Sequence, residues 1–123
     1  VFLANLGPLA DHGARATWIT NLLAAGGIEV IGSDGFTNST DAGQAFCESG
    51  ASVDCICGND VVYEELGEAV ASLLKTAGAK SVLLAGQPGE GESALRAAGV
   101  DMFLHMGIDV VAALQGLHET LEI

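Results

Sequence analysis

Positive charge is what this sequence has least of: four cations, Arg15, Lys75, Lys80 and Arg96, stand against sixteen carboxylates, for a net charge of -12. A surface so charged repels phosphate backbones and anionic headgroups, which argues against nucleic acid and membrane as partners. Long apolar runs are missing too. None approaches the roughly 20 residues that span a bilayer, and no basic leader precedes an apolar stretch. Cysteine is scarce and odd in number. Cys47, Cys55 and Cys57 lie inside apolar segments, which suits reduced, buried thiols in a reducing compartment better than a disulfide framework, so a cytoplasmic location is expected. Cys55-x-Cys57 lacks the two-residue spacing of redox and zinc motifs, and in a strand its two thiols share a face. Aromatic residues make up only 5% of the chain, leaving Ala, Val, Leu and Ile to build the core.

What is abundant is glycine, seventeen of 123 residues, and apolar side chains, half of the total. The length suits one domain, long enough to bury about two-thirds of its unfolded surface. Because it begins at Val1, already inside an apolar run and without an initiator methionine, residues 1–123 are expected to form a single domain of a longer chain. Val1 to Leu6 reads as a buried strand ended by Gly7-Pro8, since Pro8 cannot donate to a ladder. Asp11 is the expected cap of a helix reaching Ala25, with Trp18, Ile19, Leu22 and Leu23 at helical spacing. Ile28 to Ile31 is a second strand. Thr40 or Asp41 caps a short helix through Ser49, and Val53 to Cys57 is the third strand. A longer helix, Val61 to Ala77, leads to a fourth strand, Ser81 to Ala85. After the loop Gly86 to Gly91 come a helix from Glu92 to Ala98 and a fifth strand from Met102 to His105. Asp109 caps a last helix with Val110, Ala113, Leu114, Leu117 and Leu121 inward. Gly26-Gly27, Gly50, Gly78 and Gly99 each close a helix and precede an apolar run, which is the punctuation of βαβ units. The fold class is therefore α/β: a flavodoxin-like, doubly wound parallel sheet of five strands in the order 2-1-3-4-5.

In that architecture ligands sit outside the carboxyl ends of the strands, here Gly7 to Gly13, Gly32 to Thr40, Gly58 to Val61, Gly86 to Gly91 and Met106 to Asp109. The usual occupants fail one by one. Gly7 to Gly13 supplies neither the glycine spacing of a dinucleotide site nor the Gly-Lys-Ser/Thr of a phosphate loop, and it has no hydroxyls for a flavin phosphate. A phospho-receiver needs acids at the end of the first strand and a lysine after the fifth. Asp60 is available as acceptor, but Ala4-Asn5-Leu6 has no acid and His105-Met106-Gly107 no lysine. No Ser sits in a strand-to-helix elbow, neither Cys55 nor Cys57 is at an exposed strand end, and His105 and His118 read as structural. His12 remains. An imidazole in the first turn of the first helix can ligate a metal or act as a base, and a solvated imidazole beside Asp11 explains it equally well.

With these elements placed, the chain resembles the cobalamin-binding domain of the methylmalonyl-CoA mutase family. The resemblance is carried by Val1 to Gly7, Asp11 to Arg15, Ala77 to Gly86 and Met106 to Val111. It is greatest toward the small (beta) subunit of the bacterial heterodimeric enzyme, most specifically in residues 103–123. Cobalamin-binding members carry Asp-x-His-x-x-Gly after the first strand, the histidine being the cobalt ligand. Centring the motif on His12 puts Ala10 in place of Asp and Arg15 in place of Gly. Gly58-Asn59-Asp60 stands where Ser-x-Leu would line the nucleotide tail, while Gly86 agrees with the family. The resemblance thus implies a cobalamin-type domain that binds no cofactor and has no catalytic residues. It would support assembly with a large subunit that carries adenosylcobalamin and isomerises methylmalonyl-CoA to succinyl-CoA. It also implies a preceding barrel domain. Two alternatives stand beside it. One is a genuine cobalamin-binding domain using His12, with Asp11, Gly58 and Gly86 around the cofactor; the other is a flavodoxin-like regulatory domain. The first reading expects a crevice filled by side chains or closed by loops, the cobalamin reading an open one with His12 pointing in. Phe36 is the expected exposed apolar contact for a partner.

Overall fold

The most continuously apolar stretches of the chain become its strands: β1 (Phe2–Asn5), β2 (Val53–Cys57), β3 (Ser81–Ala85) and β4 (Met102–Leu104). These belong to a computed structural model that describes residues 1–33, 35–86, 91–105 and 107–121. The strands are parallel and hydrogen-bonded in the order β1-β2-β3-β4. Nearly every strand residue is buried, as required of parallel strands covered on both faces.

Helices supply the covers: α1 (Leu9–Ala25), α2 (Ser39–Ser49), α3 (Asp60–Val62), α4 (Glu68–Thr76), α5 (Glu92–Ala98) and α6 (Val110–Leu121), with a π-helical turn at Tyr63–Gly67 joining α3 to α4. Strand alternation sorts the core into two layers. On one face Phe2, Ala4, Leu6, Ile56, Val82 and Leu84 pack against Phe46 of α2, Leu74 of α4 and Leu95 of α5. On the other, Leu3, Cys55, Leu83 and Leu104 pack against Ile19 and Leu23 of α1 and Leu117 of α6. None of the described helices is long and apolar enough to cross a membrane.

The regular sheet has four strands, not the five expected. Ile28 to Ile31 forms no ladder; instead the chain meets β1 at two isolated parallel bridges, Phe2 with Ile31 and Leu6 with Phe36. Leu3 N–H donates to Ile31 C=O at 2.9 Å, Phe36 N–H to Asn5 C=O at 2.7 Å and Gly7 N–H to Phe36 C=O at 2.8 Å. Between the bridges side chains substitute for the ladder: Ser33 Oγ donates to Leu3 C=O at 2.7 Å, and Asn5 Nδ2 donates to Ser33 C=O at 2.9 Å. The turn formers of this stretch break the strand, and hydrogen bonding holds the chain along the edge regardless.

Other boundaries differ from expectation for local reasons. α1 begins at Leu9 behind an extended Pro8 rather than behind Asp11, because a helix readily starts just after the fixed φ of proline. Asn38, not Thr40 or Asp41, caps α2, its side chain accepting from Asp41 N–H at 2.8 Å. The helix expected from Val61 to Ala77 is divided by the π turn. Asp109 does cap the last helix, accepting from Ala112 N–H at 3.0 Å, and Ala113 and Leu117 face inward as expected, but Val110 is exposed. Cys55 and Cys57 are buried free thiols, whereas Cys47 is exposed on α2. Most of the loop expected at Gly86 to Gly91, and Met106, lie outside the described residues.

Candidate functional site

The carboxyl ends of β1, β2 and β3 hold the sequence-nominated residues in two groups, Asp11 and His12 at the turn after β1, and Gly58 and Gly86 against Arg15 and Tyr63. Gly7, at φ +76°, turns the chain out of β1, and its carbonyl lies 3.1 Å from His12 Nδ1. A carbonyl only accepts, so Nδ1 carries the proton. His12 is buried at 5% exposure, which corrects the picture of a solvated imidazole. Gly35 completes the enclosure: a Cβ there would lie 1.6 Å from the Gly7 carbonyl oxygen and 3.2 Å from His12 Cε1. The edge segment thus lies directly on the turn after β1. Asp11 is half-buried beside it, Oδ2 reaching to 3.0 Å of where a Gly7 Cβ would stand.

Arg15 and Tyr63 meet at the carboxyl ends of β2 and β3. Arg15 projects from α1, one turn beyond His12. Its Nη1 donates to Gly58 C=O at 2.9 Å, its Nη2 to Asp60 Oδ1 at 3.0 Å, and its Cζ lies 5.3 Å from the centre of the Tyr63 ring. Burial is the largest single influence and works against the guanidinium charge, but hydrogen bonding and charge attraction from Asp60 and Tyr63 together outweigh it and raise the Arg15 pKa. Tyr63 reaches back from the π turn. Its hydroxyl accepts from Gly58 N–H at 2.9 Å and donates to Ala85 C=O at 2.6 Å, with Ile56 C=O 3.2 Å away. Burial above all pushes this phenol well up from its usual range.

Gly58 and Gly86, nominated as cofactor contacts, therefore face this pair. A Cβ on Gly86 would meet Arg15 Nη1 at 3.2 Å and Tyr63 Cε2 at 3.3 Å, and one on Gly58 would meet Tyr63 Cε1 at 3.3 Å. Asp60, the candidate phosphoryl acceptor, is the Arg15 partner, with its side chain 82% exposed. Asn59 caps α3 by accepting from Val62 N–H at 2.9 Å. Among the described residues no cluster of three or more His, Cys, Asp or Glu side chains is arranged to hold a metal ion. His118 ties α6 to the end of α1, its Nε2 2.7 Å from Gly26 C=O. Sequence reasoning noticed Arg15 only as a wrong residue in a motif and missed Tyr63. The available signal was the scarcity of both types: one of four cations and the only tyrosine.

Phe36, the expected partner contact, is half-buried and packs on Phe2, ring centres 6.3 Å apart. Exposed large aliphatics stand elsewhere, at Leu9, Ile31, Val61, Val110 and Val111. Leu9, Val61, Val110 and Val111 lie in the first turns of helices that follow β1, β2 and β4 in the chain.

No protein-family model matches the chain. It is 46% identical over 114 residues to the methylmalonyl-CoA mutase small subunit of Streptomyces virginiae, an overlap of 93% of this chain and 17% of that protein. It is 41% identical over 119 residues to the probable methylmalonyl-CoA mutase small subunit of Mycobacterium tuberculosis, covering 95% and 19% respectively. With the methylmalonyl-CoA mutase small subunit of Propionibacterium freudenreichii subsp. shermanii, identity is 37% over 123 residues, covering 98% and 19%. The chain spans less than one-fifth of the length of these relatives. Over nearly all of its own length it is a homologue of methylmalonyl-CoA mutase small subunits.

Proposed function

We propose that this chain is the cobalamin-binding-like, C-terminal domain of a bacterial mutase small subunit and acts as a structural rather than a catalytic part. The observation that carries this reading is the filled crevice. A nucleotide tail entering between β1 and β2 would have to displace an arginine bonded to Gly58 and Asp60 and a tyrosine bonded to Gly58 and Ala85. At the mouth, Gly35 lies against Gly7 and His12. In this reading these residues leave no place for the tail of cobalamin. In this reading the partner large subunit holds adenosylcobalamin and isomerises methylmalonyl-CoA to succinyl-CoA.

The same reading takes residues 28–36 as a broken fifth strand at the β1 edge, giving the flavodoxin-like order 2-1-3-4-5. It takes the exposed aliphatics Leu9, Val61, Val110 and Val111, which open helices following strand ends, as the apolar face turned toward the assembly. The test is to co-express the full-length small subunit with its large subunit. Assembly is expected with the wild type and to weaken at least tenfold in a Leu9→Glu, Val61→Glu, Val111→Glu triple variant whose isolated domain stays folded by circular dichroism. Unchanged association would contradict the assigned face, and failure of the wild-type subunits to associate would contradict the assembly role.

A further inference from the structure

Among the described residues, three polar or charged side chains are buried, Asn5, His12 and Asp54, and Asp54 is enclosed completely at 0% exposure. His12 has a hydrogen-bond partner, and Asn5 has one on its Nδ2 though not on its Oδ1. Asp54 has none on either carboxylate oxygen. It occupies the middle of the sheet, between Phe2 of β1 and Val82 of β3 in register, and strand alternation gives it the face of Ile56. An ionised carboxylate there would lose its hydration without any donor to replace it, a far larger cost than burying the neutral acid.

We propose that Asp54 is a proton-binding site built into the sheet: the folded domain holds it as a neutral carboxylic acid, folding takes up one proton, and stability falls as pH rises. The charged groups around it do not offset this. From β1 the Val1 amino group attracts the carboxylate, but burial is the larger influence and holds the carboxyl well above the usual range; that amino group itself donates to Glu29 C=O at 3.0 Å. From α2 the titratable groups are Asp41, Cys47 and Glu48, all exposed, and two of them are acids that would add repulsion. From α4 they are Glu68, which is exposed, and Lys75, which is 2.6 Å from Asp101 Oδ2. Lys80 before β3 is exposed, and on β2 itself Cys55 and Cys57 point to the opposite layer.

The sign follows from the direction of the shift. In the unfolded chain Asp54 ionises near pH 4, while in the folded chain it stays protonated to higher pH. Between those two limits the folded state holds the extra proton, so the stabilising contribution is complete below about pH 4 and is lost as pH climbs toward the folded-state value.

Urea unfolding of the 123-residue chain and of Asp54→Asn, followed from pH 5 to 9, tests this, because asparagine keeps the shape and cannot ionise. The unfolding constant of the wild type relative to the variant is expected to grow about tenfold per pH unit over the window in which the folded carboxyl stays protonated. A ratio independent of pH would overturn the proposal. Infrared spectroscopy of the wild type alone gives a second reading that needs no stable variant. A protonated-carboxyl band that persists above the pH at which ordinary aspartates ionise and disappears on raising the pH further is expected, and its absence there would equally overturn the proposal.

Discussion

The guanidinium of Arg15 makes three contacts that draw on three of its properties. Its fork reaches a carbonyl and a carboxylate at once, its charge meets Asp60, and its flat face lies over Tyr63. The ion pair matters least, because the Asp60 side chain is 82% exposed and solvent screens it. The buried hydroxyl of Tyr63 matters more. It joins the ends of β2 and β3 through Gly58 N–H and Ala85 C=O, and Tyr63→Phe would leave both without that partner. The expected loss is about 1–3 kcal/mol in unfolding free energy by urea titration, with the far-ultraviolet spectrum unchanged; a loss below about 0.5 kcal/mol would show that the hydroxyl does not pin the strands. Little of this was legible in the sequence. His12 was visible as a candidate, but Gly35, twenty-three positions away, lies against it, and a contact between a loop and the first turn of a helix leaves no periodic trace. Arg15 stood out only against a family motif.

Elements were legible wherever the physics is local. Apolar runs gave β1 to β4, the glycines that precede such runs gave helix ends, and Asp109 capped α6 as its type and position suggest. Two elements escaped for stated reasons. The segment 28–36 binds β1 through the Ser33 and Asn5 side chains where a ladder would run, and pattern reading cannot see such substitution. The π turn at Tyr63–Gly67 adds a residue to one turn of an otherwise ordinary helical pattern, and such an insertion leaves no mark in the apolar periodicity. The closeness of the edge segment gives a sharp expectation for Gly35. An alanine Cβ there would fall 1.6 Å from the Gly7 carbonyl oxygen, a backbone atom that cannot swing aside. Gly35→Ala is expected to lower the unfolding free energy by about 1–3 kcal/mol. Wild-type stability in that variant would mean that the segment does not lie on the turn after β1.

For the whole molecule, the arrangement of layers follows from composition, while the role of the crevice follows from side chains of modest number. A chain with net charge -12 and four cations places one of those cations, Arg15, at the carboxyl end of its sheet, where related folds take ligands. Lys75 is paired with Asp101 and Arg96 with Glu92 at other points. Homology to mutase small subunits over nearly the full chain and the bonds of Arg15 and Tyr63 at the carboxyl ends of β2 and β3 support the proposal that the domain is a structural part that binds no cofactor. That central claim is tested most directly by titrating hydroxocobalamin into the purified domain and following its visible spectrum. The account predicts an unchanged spectrum with no saturation up to about 100 μM, well beyond the micromolar range of a specific small-molecule site. A saturable spectral change, lost in His12→Ala, would contradict it.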